Sequence, residues 1–409
     1  MDIYYLPRAS NSLLKILLNL QNIFKDFKNM FVSFPANICY TFPLASLYSN
    51  FKVSFYDIDY NTLYPLNLRD IISFYPKDSL ILLIIVIPYG NFEAEKILIL
   101  KEEINKINKS IRQDNKLVLI LWDMALVMIT KEVINFILDN SDLFKQDFFV
   151  FSFSYAKQLE LGYGSLLISP FKLDTNLKLR INKDNIPKLI NKVDKIFKGS
   201  NIFYSQDKQN KVKILNKILN NKNVFYCYNS ELDLPTALEL DNLVTKILNN
   251  VDFEIKLRNG FYISYFSLLN LKKNINLYYS LNLKELAKEL NSSNIYLELI
   301  DNNLFSWRFN IRVNFNRDRL LKKLFDNGVF VSRLFPVVAN LFLVDPIFKS
   351  SFNNSSKHWL KVINVFNNHL VIDNNFLSKN NIYLNSNYIE RFLKVIRDFF
   401  NIEIITTKR

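Results

Sequence analysis

Two stretches, Leu80-Ile81-Leu82-Leu83-Ile84-Ile85-Val86-Ile87 and Leu117-Val118-Leu119-Ile120-Leu121-Trp122, are apolar at every position. A strand with one wet face alternates apolar and polar residues, and a surface helix is apolar along one stripe only. Short uninterrupted runs, closed here by Pro88 and Asp123, read as strands buried on both faces. Such strands belong to a parallel sheet covered by helices on both sides. Between them Glu93 to Ser110 is charged and amphipathic, as the crossover helix of a βαβ unit should be. Upstream, Phe31 to Phe34 stops at Pro35 and Val53 to Tyr56 stops at Asp57, which predicts two more short strands. Phe148 to Phe153 and Ser165 to Ile168 predict another two. Leu13, Leu14, Leu17, Leu20 and Phe24 have helical spacing over Asn11 to Phe24, with Ser10 placed as the cap.

Residues 1 to about 170 therefore read as α/β. From about 171 to 275 the chain is rich in Lys and Asn with helical stretches such as Leu238 to Leu248, expected to be surface helices and a connection. From about 276 the pattern changes. Trp307, Phe309, Ile311, Val313 and Phe315 alternate with polar residues, predicting a one-sided strand. Arg317 to Asp326 predicts a helix, Val329 to Val331 a strand, and Tyr388 to Phe400 a last amphipathic helix. The expected division is a large domain over 1–275 and a small α+β domain over 276–409.

Composition narrows the function. The 409 residues are 49% hydrophobic, enough for a sizeable core, and only 6 are glycine. That scarcity excludes collagen-like and glycine-rich classes, and with them a Gly-x-Gly-x-x-Gly or Walker loop. The net charge of +14 suits an anionic partner, but the lysines are scattered among Asn, Ile and Phe. Nucleic acid is therefore not the expected partner. The 36 Phe and 21 Tyr fall mostly in apolar segments and read as core. Cys39 and Cys227 form no redox or metal motif, and His358 and His369 read as structural; no metal is expected. Met1 to Pro7 lacks the basic start and apolar stretch of a signal peptide. No apolar run approaches the roughly 20 residues of a membrane span. A cytoplasmic protein without a membrane partner is expected.

The chemistry concentrates in Phe149-Val150-Phe151-Ser152-Phe153-Ser154-Tyr155-Ala156-Lys157, followed by Gly162-Tyr163-Gly164-Ser165. A buried strand delivers Ser152, a lysine follows five residues later, and two of the rare glycines come next. Most lysines in turns are merely solvated. A lysine at the carboxyl edge of a parallel sheet, where such folds place ligands, can instead form a Schiff base once its amine is deprotonated. Leu119-Ile120-Leu121-Trp122-Asp123-Met124-Ala125 ends a second buried strand in a carboxylate. Alone, Asp123 reads as a helix cap. Paired with Lys157 it matches the needs of pyridoxal 5'-phosphate, which takes a lysine at its aldehyde and an acid at its ring nitrogen.

From Pro7 to about Phe400 the order of elements resembles the DegT/DnrJ/StrS family of pyridoxal-phosphate-dependent aminotransferases, with the type I aspartate-aminotransferase fold. The resemblance is carried by Arg8-Ala9-Ser10-Asn11-Ser12-Leu13 at the early turn and helix and by Val32-Ser33-Phe34-Pro35. Asp57-Ile58-Asp59, Ile87-Pro88-Tyr89-Gly90 and Asp123-Met124-Ala125 follow in order. Ser152-Phe153-Ser154-Tyr155-Ala156-Lys157 and Val331-Ser332-Arg333-Leu334-Phe335-Pro336 complete it.

The resemblance implies that Lys157 carries the Schiff base and moves protons, and that Asp123 pairs with the ring nitrogen. It implies that Ser152 and the amides near Ser10 and Asn11 hold the phosphate, and that an aromatic covers the ring. Cys39 falls at the counted position and Tyr40, beside it, is the residue able to stack. The implied reaction is amino transfer from glutamate to a nucleotide-linked keto-sugar, for surface polysaccharide, in a homodimer. Some positions depart from the family. Leu126 stands where Gln or His contacts the cofactor, Ala9-Ser10 replaces Gly-Thr, and Ser165 replaces the last glycine of Gly-Glu-Gly-Gly. The Asn-Tyr-Arg stretch lent to a neighbouring subunit is not recognisable. These departures leave open a cofactor-binding but catalytically silent relative acting as a partner subunit.

Overall fold

The computed structural model describes residues 1–177 apart from 40, 48, 50 and 155–156, and 232–290 apart from 258, 259 and 261. It also describes 297–299, 309–313, 316–329, 331–332, 369–372 and 386–407. Tyr40, Trp307, Phe315, the Arg333 to Pro336 stretch, Cys227, His358 and most of the expected connection, 178–231, lie outside the described residues.

A seven-stranded sheet organises the first 170 residues. Its strands are β1 (Asp2–Leu6), β2 (Asn29–Pro35), β3 (Lys52–Tyr56), β4 (Ser79–Val86), β5 (Lys116–Asp123), β6 (Asp147–Ser152) and β7 (Ser165–Ser169). The spatial order is β1-β7-β6-β5-β4-β2-β3. β3, β2, β4, β5 and β6 run parallel, and β7 lies antiparallel between β6 and β1. Every residue from Leu80 to Ile85 is fully buried, and Leu119 to Trp122 likewise, as expected for strands covered on both faces. β1 was not predicted: it is a short edge strand with an exposed start, so it lacks the apolar signature of the inner strands.

Helix α1 (Ala9–Ile23) buries Leu13, Leu14, Leu17 and Leu20. Its cap differs from expectation. Arg8 is the N-cap, with extended backbone and no side-chain cap bond, and Ser10 sits inside the first turn. The crossover α2 (Thr41–Leu47), α3 (Leu68–Ser73), α4 (Ala94–Ser110) and α5 (Lys131–Asp139) complete this region, followed by α6 (Leu234–Leu248). Beneath β5, the Lys101 ammonium of α4 meets Asp147 Oδ1 at 2.6 Å, and Trp122 Nε1 donates to Asp147 Oδ2 at 3.0 Å. Both charged side chains are buried.

The hairpin β8 (Glu254–Lys256) and β9 (Tyr262–Ser264) leads into the long α7 (Tyr265–Leu290). One buried apolar cluster ends on α7 at Leu268, and a second begins at Ile275 and runs to Phe400. The second underlies a small antiparallel sheet in the order β10 (Leu297–Leu299), β11 (Phe309–Val313), β13 (His369–Ile372), β12 (Val331–Ser332). Helices α8 (Arg317–Asp326) and α9 (Ser386–Thr407) pack with it. β11 corrects an expectation. Ile311 and Val313 are buried as predicted, but so are the alternate Asn310 and Arg312. The Arg312 guanidinium lies 4.0 Å over the Tyr60 ring and donates to the Tyr60 carbonyl, so the nominally wet face is covered.

Among the described residues no helix is long and apolar enough to cross a membrane, and no group of three His, Cys, Asp or Glu could hold a metal ion.

Candidate active site

The carboxyl ends of β5 and β6 bring the candidate residues together. Parallel pairing sets Asp123 opposite Val150 on one side and Val86 on the other. The chain is fixed there by Ile87 N–H donating to the Asp123 carbonyl (3.1 Å) and Met124 N–H to the Val150 carbonyl (2.8 Å). Asp123 is buried, and its Oδ1 accepts the Ala125 N–H at 3.0 Å.

Beyond β6 the chain folds back on itself. The Phe153 carbonyl accepts both Leu161 N–H (2.9 Å) and Gly162 N–H (3.0 Å), and Phe153 N–H donates to the Gly164 carbonyl at 3.0 Å. Lys157 is carried, half-buried, within this closed loop. Gly164 has no substitute here. Its φ is +88°, and a Cβ would sit 2.7 Å from Leu240 Cδ1 of α6.

Burial pushes the Asp123 carboxyl above the ordinary carboxylate range, while the nearby Lys157 charge and the Ala125 N–H pull it back. The folded chain thus holds this proton to higher pH than the unfolded chain. Stability contributed by the protonated form is full at acid pH and is lost as pH rises through the carboxylate range and above. The Asp123→Asn variant, measured by thermal unfolding without added ligand, should match or exceed the wild-type Tm at neutral pH. The gain should vanish as pH falls below the carboxylate range. A lower Tm at neutral pH would mean that the ionised carboxylate stabilises the fold.

Ser152 ends β6, nearly buried, with its Oγ 2.8 Å from Ser154 Oγ. Across the sheet it is in register with Ser165 of β7. Ser165 Oγ lies 2.9 Å from Ser12 Oγ and donates to the Leu6 carbonyl at 3.2 Å. The departure at Ser165 therefore has a structural use: its hydroxyl ties the first turn of α1 to the strand beside Ser152. Ser10 and Asn11 lie buried in that turn. The Asn11 N–H donates to the Arg8 carbonyl at 3.0 Å, which leaves the Ala9 and Ser10 amides ahead of the helix's first bond. Cys39 is half-buried, its Sγ 3.3 Å from Thr41 Oγ1. Leu126 is 4% exposed and belongs to the large apolar cluster, so its side chain is used in packing.

Asp123, Lys157, Ser152 and the first turn of α1 thus converge from segments far apart in sequence. The hydroxyls of Ser12, Ser154 and Ser165 were missed as site features. The sole trace of Ser154 in the sequence is the Ser-Phe-Ser repeat, in which residues two apart along an extended chain share a side.

No family model and no curated protein matches the sequence. Solved structures do match in fold. NtdA from Bacillus subtilis, with bound cofactor PMP, aligns over 98% of this chain and 74% of its own at 12% identity, TM-score 0.59. A DegT DnrJ EryC1 StrS aminotransferase from Brucella abortus aligns over 98% and 86% at 13% identity, TM-score 0.54. The E. coli GDP-4-keto-6-deoxy-D-mannose-3-dehydratase with bound hydrated PLP aligns over 97% and 87% at 14% identity, TM-score 0.53. The chain has the fold of these enzymes, the α/β architecture expected from its sequence.

Proposed function

We propose that this chain is a pyridoxal-phosphate-dependent aminotransferase of the DegT/DnrJ/StrS type, moving an amino group from glutamate to a nucleotide-linked keto-sugar. The observation that carries the reading is Lys157 held beside the buried Asp123 at the carboxyl ends of neighbouring parallel strands.

The donor set fits the cofactor. A buried carboxyl displaced upward by burial gains from a cation brought against it, and a protonated ring nitrogen is such a cation. Ser152 offers a hydroxyl to a phosphate, and the first turn of α1 offers amides at the positive end of a helix. When bound, pyridoxal phosphate supplies an aldehyde for an amine and a ring able to take up electrons. Lys157 Nζ, in its closed loop, is the group that would bond the aldehyde and then carry a proton as base and acid. Asp123 would keep the ring nitrogen protonated. Ser152 and the Ala9–Ser10 amides would hold the phosphate. Tyr40 or the neighbouring Cys39 position would cover the ring.

The finer parts of the reading are a cytoplasmic homodimer, small-molecule substrates and a product destined for surface polysaccharide. They rest on the resemblance, and for a sugar-nucleotide substrate also on the GDP-sugar dehydratase of the same fold. A silent relative is the second reading, favoured by Leu126 buried where the family contacts the cofactor. The test is to add pyridoxal phosphate to the purified protein and then glutamate with a panel of nucleotide keto-sugars. A yellow protein that forms 2-oxoglutarate and an amino sugar is expected. A yellow protein that transfers no amine supports the silent relative, and one that never takes up the cofactor overturns both.

A further inference from the structure

Ser152 is the hydroxyl expected to meet the cofactor phosphate, and its surroundings decide which way its proton points. Its Oγ lies 2.8 Å from Ser154 Oγ and also accepts the Ser154 backbone N–H at 3.4 Å. A hydroxyl has one proton to give and two acceptor positions. If Ser154 donates through both its N–H and its O–H, the two acceptor positions of Ser152 are filled and its own proton is released for another partner. If instead Ser152 donates to Ser154, it turns a lone pair toward whatever approaches. An anion selects the first arrangement, because hydrogen bonds to charged acceptors are about twice as strong as neutral ones. The pair is held well for this purpose. Ser152 is 8% exposed at the end of β6, Ser154 is half-buried, and Phe153 between them is buried in the core.

We propose that Ser154 is a positioning residue for phosphate binding, orienting the Ser152 hydroxyl as a donor toward the phosphate of pyridoxal phosphate. This rests on the cofactor reading above. It concerns a residue that acts through Ser152 and is tested by binding rather than by turnover.

The experiment compares equilibrium binding of pyridoxal phosphate with that of pyridoxal, which lacks the phosphate, by absorbance titration. The proteins are wild type, Ser154→Ala, Ser154→Thr, Ser152→Ala and the double Ser152→Ala/Ser154→Ala variant. Ser154→Ala should weaken pyridoxal phosphate by about 2- to 12-fold, the span of one net hydrogen bond, and leave pyridoxal binding unchanged. Ser154→Thr, which keeps the hydroxyl, should restore it. The double variant should bind no worse than Ser152→Ala, because Ser154 acts through Ser152. Pyridoxal phosphate bound equally by wild type and Ser154→Ala overturns the proposal, as does equal weakening of both compounds. Additive losses in the double variant also overturn it. A wild type that binds neither compound overturns the cofactor reading, and this proposal with it, and so is distinguishable from failure of the proposal alone.

Discussion

The Lys157→Ala variant should fold as the wild type does and fail to transfer an amine, with a rate lowered by at least the roughly 10²–10⁴-fold that a positioned acid–base group contributes. It should also lack the visible absorbance band that the wild type acquires with pyridoxal phosphate. The expectation follows from placement. Lys157 is half-buried in a loop closed by backbone bonds to the Phe153 carbonyl, so its removal leaves the loop's fastening intact. It does remove the charge that pulls the Asp123 carboxyl down from the range to which burial raises it. Lys157→Arg separates the two roles. It keeps a cation beside Asp123 but cannot form a Schiff base, so it should bind the cofactor without the absorbance band and without turnover. An alanine variant that keeps the band and its activity would sink the assignment of Lys157.

The second large effect is on stability. Lys101→Met should destabilise the fold by about 3–5 kcal/mol, because it leaves Asp147 buried and unpaired. That is a substantial part of the 5–15 kcal/mol by which native proteins are commonly stable. Burial already raises the Asp147 carboxyl, against the charge and hydrogen bond of Lys101 and the bond from Trp122. Without Lys101 it should hold its proton to still higher pH. The stability of the protonated form is present at acid pH and lost as pH rises, so the defect should be smaller in acid than at neutral pH. The double variant Lys101→Met/Asp147→Leu, which removes both charges, should recover most of the loss. Denaturant unfolding at two pH values measures all three. A single variant as stable as wild type at neutral pH would show that Lys101 does not compensate the buried carboxylate.

The consequence reaches the site. Asp147 begins β6 and Trp122 precedes Asp123 on β5, so Lys101, Asp147 and Trp122 join the two strands whose carboxyl ends carry Asp123 and Ser152. Weakening these contacts should lower cofactor affinity only as far as it loosens that pairing.

How much of this could be read from residues alone depends on the range of the interaction. The inner strands were legible because burial on both faces leaves a local mark, an unbroken apolar run such as Leu80 to Ile87. Arg317–Asp326 was legible to the residue, since its apolar stripe and the following Asn327-Gly328 both lie within one helix and its end. β1 was not legible. An edge strand with partly exposed residues carries no such run, and only its pairing with β7 reveals it. Ser10 read as a cap because serine favours that position, yet the helix starts two residues before the expected Asn11, at Ala9, with Arg8 as its cap. In β11 a period of two assigned the faces correctly but could not say that Tyr60, some 250 residues away, covers the second one.

The same division holds at the site. The residue types and the strand ends that bear them were readable along the chain: a carboxylate closing one buried run, and a serine and lysine following another. These are set by local hydrophobic patterning and chain order. That Asp123 and Lys157 are neighbours is a matter of tertiary structure: a parallel register sets Asp123 beside Val150 of β6, and the loop beyond β6 brings the Lys157 charge near enough to act on the Asp123 carboxyl. Tertiary structure also decided the hydroxyl pairs Ser152 with Ser154 and Ser12 with Ser165. A hydrogen bond needs its partners within about 3 Å and suitably aligned, and periodicity along a chain specifies no distance between segments that are remote in sequence.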